Sequence, residues 1–165
     1  MRLYVMRHGV AIDRLDPDCP PDPERPLTPD GSARARQALH GLVSLGVTMD
    51  RIFSSPYARS LQTAELAAEA LGVPRLQLET TPLLLPGADL AELVQGMQQL
   101  RVKAVLYVGH APEVDLLIAL LCGQPSPFTS LKKAGIAHLE RKPGVDRARL
   151  VALLEPKVLR QLGRP

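Results

Sequence analysis

Tryptophan is absent from this chain of 165 residues, and aromatic residues together make up only 3% of it. So few rings exclude a base-stacking platform for nucleic acid, and no nucleic-acid partner is expected. Cysteine is scarce too. Cys19 and Cys122 form no CxxC pair, which excludes a disulfide framework and leaves two reduced thiols. No apolar run approaches the ~20 residues that span a bilayer, so no membrane partner is expected either. The first residues already read as a strand, which predicts neither signal nor transit peptide and, by default, a cytoplasmic location.

What is present suits a globular protein. Hydrophobic residues make up 45% of the chain and mean hydropathy is close to zero. The length predicts one domain, residues 1–165, able to bury roughly 70% of its unfolded surface. The net charge of +3 is unevenly spread: acidic residues outnumber basic ones up to residue 131, and nine Lys/Arg face three Asp/Glu beyond it. Such a basic end either steers an anionic partner through its field or is an ordinary solvated face.

Strand patterns cover 2–6, 51–54, 76–80, 104–109, 135–140 and 148–154. The runs "LYVM" and "AVLYVG" are continuously apolar, as strands covered on both faces of a parallel sheet must be. Helical patterns lie between them. The first runs from Pro29 to about Leu45, with Thr28 as N-cap and Pro29 at the first helical position. Others run over about Pro56–Leu71, closed by Gly72-Val73-Pro74, over about Asp89–Leu100, and over about Glu113–Leu121. The alternation predicts a three-layer α/β fold, a mostly parallel central sheet flanked by helices. Only "RKPGVDR" separates the last two strands, so they form one antiparallel edge hairpin. The segment "DPDCPPDPERP", residues 16–26, holds five prolines among acidic residues and reads as a stiff, exposed loop. Its "DPD" is either a cation site or a solvated turn.

Ligands of an open α/β sheet sit at the carboxyl ends of its parallel strands. "LYVMRHG" brings Arg7 and His8 to that rim, and "LYVGHAP" brings His110. After the second strand, "SSPYARSLQTA" starts a helix at Ser55-Pro56 and puts Arg59 in or near its first turn, where a cation opposes the helix dipole unless an anion sits between them. Each residue alone reads as surface. Together, two imidazoles and two guanidiniums without an obligatory carboxylate are poor for a metal and well suited to a phosphoryl group. One imidazole then serves as nucleophile and the other as a clamp.

These motifs, with "RPLTPDG" at 25–31, resemble the histidine phosphatase (phosphoglycerate mutase-like) superfamily from Met1 to about Glu140. The short chain, with no lid insertion, is similar to the SixA-type phosphohistidine phosphatases. The resemblance implies that His8 is the nucleophile and carries a phosphohistidine intermediate, and that Arg7, Arg59 and His110 hold the equatorial oxygens. Gly9 and Ala111, beside the two imidazoles, are implied to line the substrate site. No cofactor and no metal are expected.

Two departures bear on the substrate. Relatives acting on phosphate esters carry a glutamate after the third strand as general acid. Here the first acidic residue of that region is Asp89, which reads as a helix N-cap. Val10 follows the RHG where some SixA-type members have an acidic residue. A phosphoramidate leaves as imidazole, a far better leaving group than an alkoxide, and needs less acid assistance. The expected substrate is therefore a histidine-phosphorylated protein, with a small phosphorylated molecule as the alternative and a non-catalytic phosphoprotein-binding module as the rival class. His40, His138 and Thr63 read as structural or surface groups. Lys132 and Lys133 either flank the pocket mouth or are simply solvated.

Overall fold

A computed structural model describes residues 1–164. Its elements in chain order are β1 (Arg2–Arg7), α1 (Pro29–Ser44), β2 (Arg51–Ser54), α2 (Ala58–Leu71), β3 (Leu78–Thr80), α3 (Leu90–Gln99), β4 (Ala104–Gly109), α4 (Glu113–Cys122), β5 (Ile136–Glu140), β6 (Arg149–Leu154) and α5 (Pro156–Leu162). They form a three-layer α/β fold around one six-stranded sheet of order β3-β2-β4-β1-β5-β6. The first four strands of that order are parallel, while β5 runs antiparallel to both β1 and β6. The β5–β6 pair is the edge hairpin that its short connection requires.

The apolar runs are continuous because both faces of the central strands are covered. From β1, Tyr4 and Met6 join Ile52, Leu106 and Val108 under α1, α2 and α5. Leu3 and Val5 join Val105 and Tyr107 under α3 and α4, where Leu93, Met97, Leu117 and Ile118 meet them. Each such side chain, fully buried, contributes about 1.5–3 kcal/mol.

Several boundaries differ from the sequence pattern for local reasons. β3 starts at Leu78, because Pro74 fixes its own φ and Arg75–Gln77 make a single 3-10 turn first. α2 starts at Ala58, two residues late, since Ser55 Oγ accepts from the Tyr57 amide and holds the chain in a turn. α5 is an element the periodicity does not announce, because seven residues are too few to show a helical period. It lies on α1 so closely that a Cβ on Gly41 would come within 1.9 Å of the Leu159 carbonyl oxygen. Among the described residues, no helix is long and apolar enough to cross a membrane.

Candidate active site

β1 and β4 are neighbours with Arg7 opposite Gly109, so the residues that follow them emerge side by side. The His8 amide donates to the Gly109 carbonyl at 3.0 Å, and the His8 and His110 rings lie 5.1 Å apart at 59°. β2 flanks β4 on its other side, and the Ser55 amide donates to the Val108 carbonyl at 3.0 Å. The carboxyl ends of three adjacent parallel strands thus deliver His8, His110 and the start of α2, with Arg59, to one place. All three side chains are nearly enclosed: His8 is 6% exposed, His110 3% and Arg59 2%.

The His8 ring is held in one tautomer. Its Nδ1 lies 2.7 Å from the Gly9 carbonyl oxygen. A carbonyl only accepts, so the proton sits on Nδ1 and the lone pair on Nε2. Burial foremost, and then His110, Arg59 and Arg7 nearby, pull the His8 pKa down to about 3, so the ring is neutral at pH 7. The turn carrying it is fixed from α2: Thr63 Oγ1 accepts from the Gly9 amide at 3.0 Å and donates to the Arg59 carbonyl at 2.7 Å. Thr63 therefore does more than pack the helix. Both polar backbone groups of Gly9 are spent in orienting His8.

Arg7 is anchored by the segment before β5. Its Nη1 donates to the Leu131 carbonyl at 2.9 Å, and the Ala134 amide donates to the carbonyls of Arg7 and His8. Leu131 is held in turn by Asp115 of α4, whose Oδ1 accepts from the Leu131 amide at 3.0 Å and from Thr129 Oγ1 at 2.7 Å. Asp115 is buried, and sequence reasoning passed over it. The available signal was an acid lodged inside the otherwise apolar run "VDLLIALLC".

His110 Nε2 lies 2.9 Å from Ser55 Oγ, and the edge of Tyr57 meets its ring. Burial first, then Arg59, pulls its pKa down to about 4. Arg59 stands over the Tyr57 ring at 5.0 Å. Its terminal nitrogens reach Asp22: Nη1 donates to the Asp22 carbonyl at 2.6 Å and Nη2 to Oδ2 at 3.2 Å. The proline-rich loop, expected to be simply exposed, therefore returns part of itself to the site. Arg14 and Arg25 also pair with the Asp22 carboxylate. Burial would raise this carboxyl, but the three arginines outweigh it and hold it below the usual range.

Four buried side-chain nitrogens have no hydrogen-bond partner among the described residues, and three of them, Arg7 Nε, Arg59 Nε and His110 Nδ1, lie at this site, the fourth being His138 Nε2. Unsatisfied donors are costly, as the two Arg Nε–H groups are here, and all three nitrogens belong to the groups surrounding His8. An oxyanion brought to His8 Nε2 would give them what they lack.

Asp89 is the N-cap of α3, its Oδ1 accepting from the Ala91 amide at 2.9 Å. Asp13 and Asp16 accept from the amides of Leu15 and Asp18, which makes "DPD" part of a solvated turn. Among the described residues, no group of three or more His, Cys, Asp and Glu side chains could hold a metal. Lys132 pairs with Glu155 at 2.7 Å and Lys133 is exposed. His138 stacks on Tyr4, and His40 is exposed on α1. Val10 contributes its carbonyl, which accepts from the Thr28 amide. A Cβ on Gly31 would sit 2.0 Å from that carbonyl, so the glycine of "RPLTPDG" lets α1 close on the RHG turn. Ala111 is half-buried between His110 and α4.

A family model for the histidine phosphatase superfamily (branch 1) matches residues 3–84. An uncharacterized protein of Picosynechococcus sp. is 40% identical over 142 residues, 84% of this chain and 84% of its own length. Phosphohistidine phosphatase SixA of Escherichia coli K12 is 33% identical over 142 residues, 82% of this chain and 84% of its own. The solved structure of the protein histidine phosphatase SixA complexed with tungstate superposes with a TM-score of 0.86 at 29% identity, covering 96% of this chain and 99% of that one. By sequence, fold and the arrangement of RHG, Arg59 and His110, this chain belongs to the histidine phosphatase superfamily.

Proposed function

We propose that the chain is a phosphohistidine phosphatase that passes the phosphoryl group through His8. The observation that carries this reading is the neutral His8, its lone pair confined to Nε2, amid unpartnered nitrogens of Arg7, Arg59 and His110.

In the first step Nε2 attacks phosphorus, the bond between phosphorus and the substrate nitrogen breaks, and the departing imidazole takes a proton from water. Positive charge grows on the His8 ring as Nε2 bonds, and the Gly9 carbonyl facing Nδ1–H stabilises it. Arg7, Arg59 and His110 face the negative charge that spreads over the equatorial oxygens. Water then attacks the same phosphorus. The bond to Nε2 breaks, inorganic phosphate leaves, and His8 returns neutral.

The substrate follows from what can leave. Asp22 is the carboxylate found beside these cations, and its three arginines hold it ionised, so it is a poor proton donor at neutral pH. Asp89 is occupied as a cap. A leaving group that needs little acid assistance, such as imidazole or an aryloxide, suits this site better than an alkoxide. The test is kcat/KM for a histidine-phosphorylated protein against a panel of sugar phosphates. The phosphohistidine protein is expected to win, and a sugar phosphate ahead by tenfold would replace this reading with that of a small-ester phosphatase. Activity is expected to survive exhaustive chelation.

A further inference from the structure

The proline-rich acidic loop has no part in the chemistry described so far, yet it is built with care. Its base is closed by the Ala11–Leu27 bridge and by the Ile12 amide donating to the Pro26 carbonyl. Gln62 of α2 accepts from the Leu27 amide, which ties that base to the helix carrying Arg59. Between these ends, Pro21 and Pro23 flank Asp22 and restrict its backbone. Arg25 donates from Nε to Asp22 Oδ1 and from Nη1 to the Ile12 carbonyl, so it ties the carboxylate to the base of the loop.

A guanidinium offers five N–H donors in a rigid plane. Asp22 takes one from each terminal nitrogen of Arg59, using its own backbone oxygen and Oδ2. Two points of attachment fix the plane. Of the three N–H groups left, the Nε–H is on the one nitrogen of Arg59 that is buried without any partner, and it is on offer to an oxyanion. The carboxylate does not turn the neighbourhood negative, because Arg14, Arg25 and Arg59 together outnumber it.

We propose that Asp22 is a positioning residue, which locks the terminal edge of Arg59 so that the Nε edge is presented to the phosphoryl group. The loop that delivers it then becomes part of the active site. The inference rests on the reading of the pocket as a phosphoryl site.

The experiment compares Asp22→Ala, Asp22→Asn, Arg59→Ala and the double variant Asp22→Ala/Arg59→Ala. Tungstate affinity is read by calorimetry, kcat and KM with an aryl phosphate, and folding by thermal melting. Asp22→Ala should lower kcat/KM by about tenfold to 100-fold, the scale on which a misplaced group slows a reaction. Tungstate binding should weaken in parallel, with a melting curve like the wild type. Asp22→Asn, which keeps an acceptor for Nη2 and the same shape, should fall between the two. Added to Arg59→Ala, the Asp22 change should bring no further loss, because there is no guanidinium left to position. Tighter tungstate binding or faster turnover in Asp22→Ala would overturn the proposal, since the carboxylate would then be a competitor for Arg59. An undiminished loss in the Arg59→Ala background would overturn it as well. A wild-type chain that neither binds tungstate nor turns over the aryl phosphate overturns the phosphoryl reading itself. Unchanged tungstate affinity in Asp22→Ala, beside an active wild type, overturns only the role of Asp22.

Discussion

His8 gives its Nδ1 proton to the carbonyl of the residue that follows it, Gly9, across 2.7 Å. This one contact decides which nitrogen can act as nucleophile, and burial keeps that nitrogen unprotonated. The consequence is visible in pH dependence. An NMR titration of the imidazole carbons should place the His8 midpoint near about 3 and that of His110 near about 4. A midpoint for His8 at its ordinary value near 6.5 would contradict the buried, neutral ring.

The same shifts make stability depend on pH. Both histidines have folded pKa values below their unfolded ones, so between the two values the unfolded chain binds more protons. Their contribution is fully present above about pH 6.5 and is lost as pH falls toward 4 and 3. The loss approaches about 1.4 kcal/mol per pH unit for each ring. Urea unfolding at pH 7, 6, 5 and 4 should show the decline, and His8→Phe should flatten it.

Arg59→Ala and His110→Ala should each reduce kcat/KM by at least ~100-fold, since a lost transition-state donor is worth about 2.7–4 kcal/mol. Arg59→Lys should recover only part of the loss, because an ammonium cannot engage Asp22 and an oxyanion through one rigid plane. Steady-state kinetics with an aryl phosphate would show both. Full activity in Arg59→Lys would mean that charge alone suffices.

Asp115→Ala should destabilise the fold, at about 1–3 kcal/mol for the buried Leu131 amide left unsatisfied, with the half-buried Thr129 hydroxyl losing its acceptor as well. It should also lower kcat, because Leu131 anchors Arg7, which faces the charge of the transition state. Asp115→Asn keeps an acceptor oxygen and should restore most of both. Denaturant unfolding and kinetics on the same preparations check this.

Asp89→Ala should behave as the loss of a helix cap, costing about 1 kcal/mol of stability and leaving turnover of an aryl phosphate near wild type. A large fall in turnover without a stability change would instead make Asp89 the missing general acid.

The rim residues were legible because strand ends are. An apolar run followed at once by Arg7-His8, and another followed by His110, places the groups by topology alone, and the parallel β1–β4 register does the rest. Asp22 and Asp115 were not legible, because each acts through a partner distant in sequence. Asp22 reaches Arg59 across 37 positions, and Asp115 reaches Arg7 only by way of Leu131. Composition marked the Asp22 loop as stiff but could not say which way it folds. α5 escaped for a simpler reason: its Pro156 start signal is followed by too short a run to show a period.

The most direct test of the account is to trap the phosphoryl group during turnover of a labelled substrate and find the residue that bears it. The label should lie on His8, be lost in acid and persist in alkali as a phosphoramidate does, and be absent in His8→Ala. A label on Ser55, Asp22 or Cys19, or turnover that persists in His8→Ala, would contradict it.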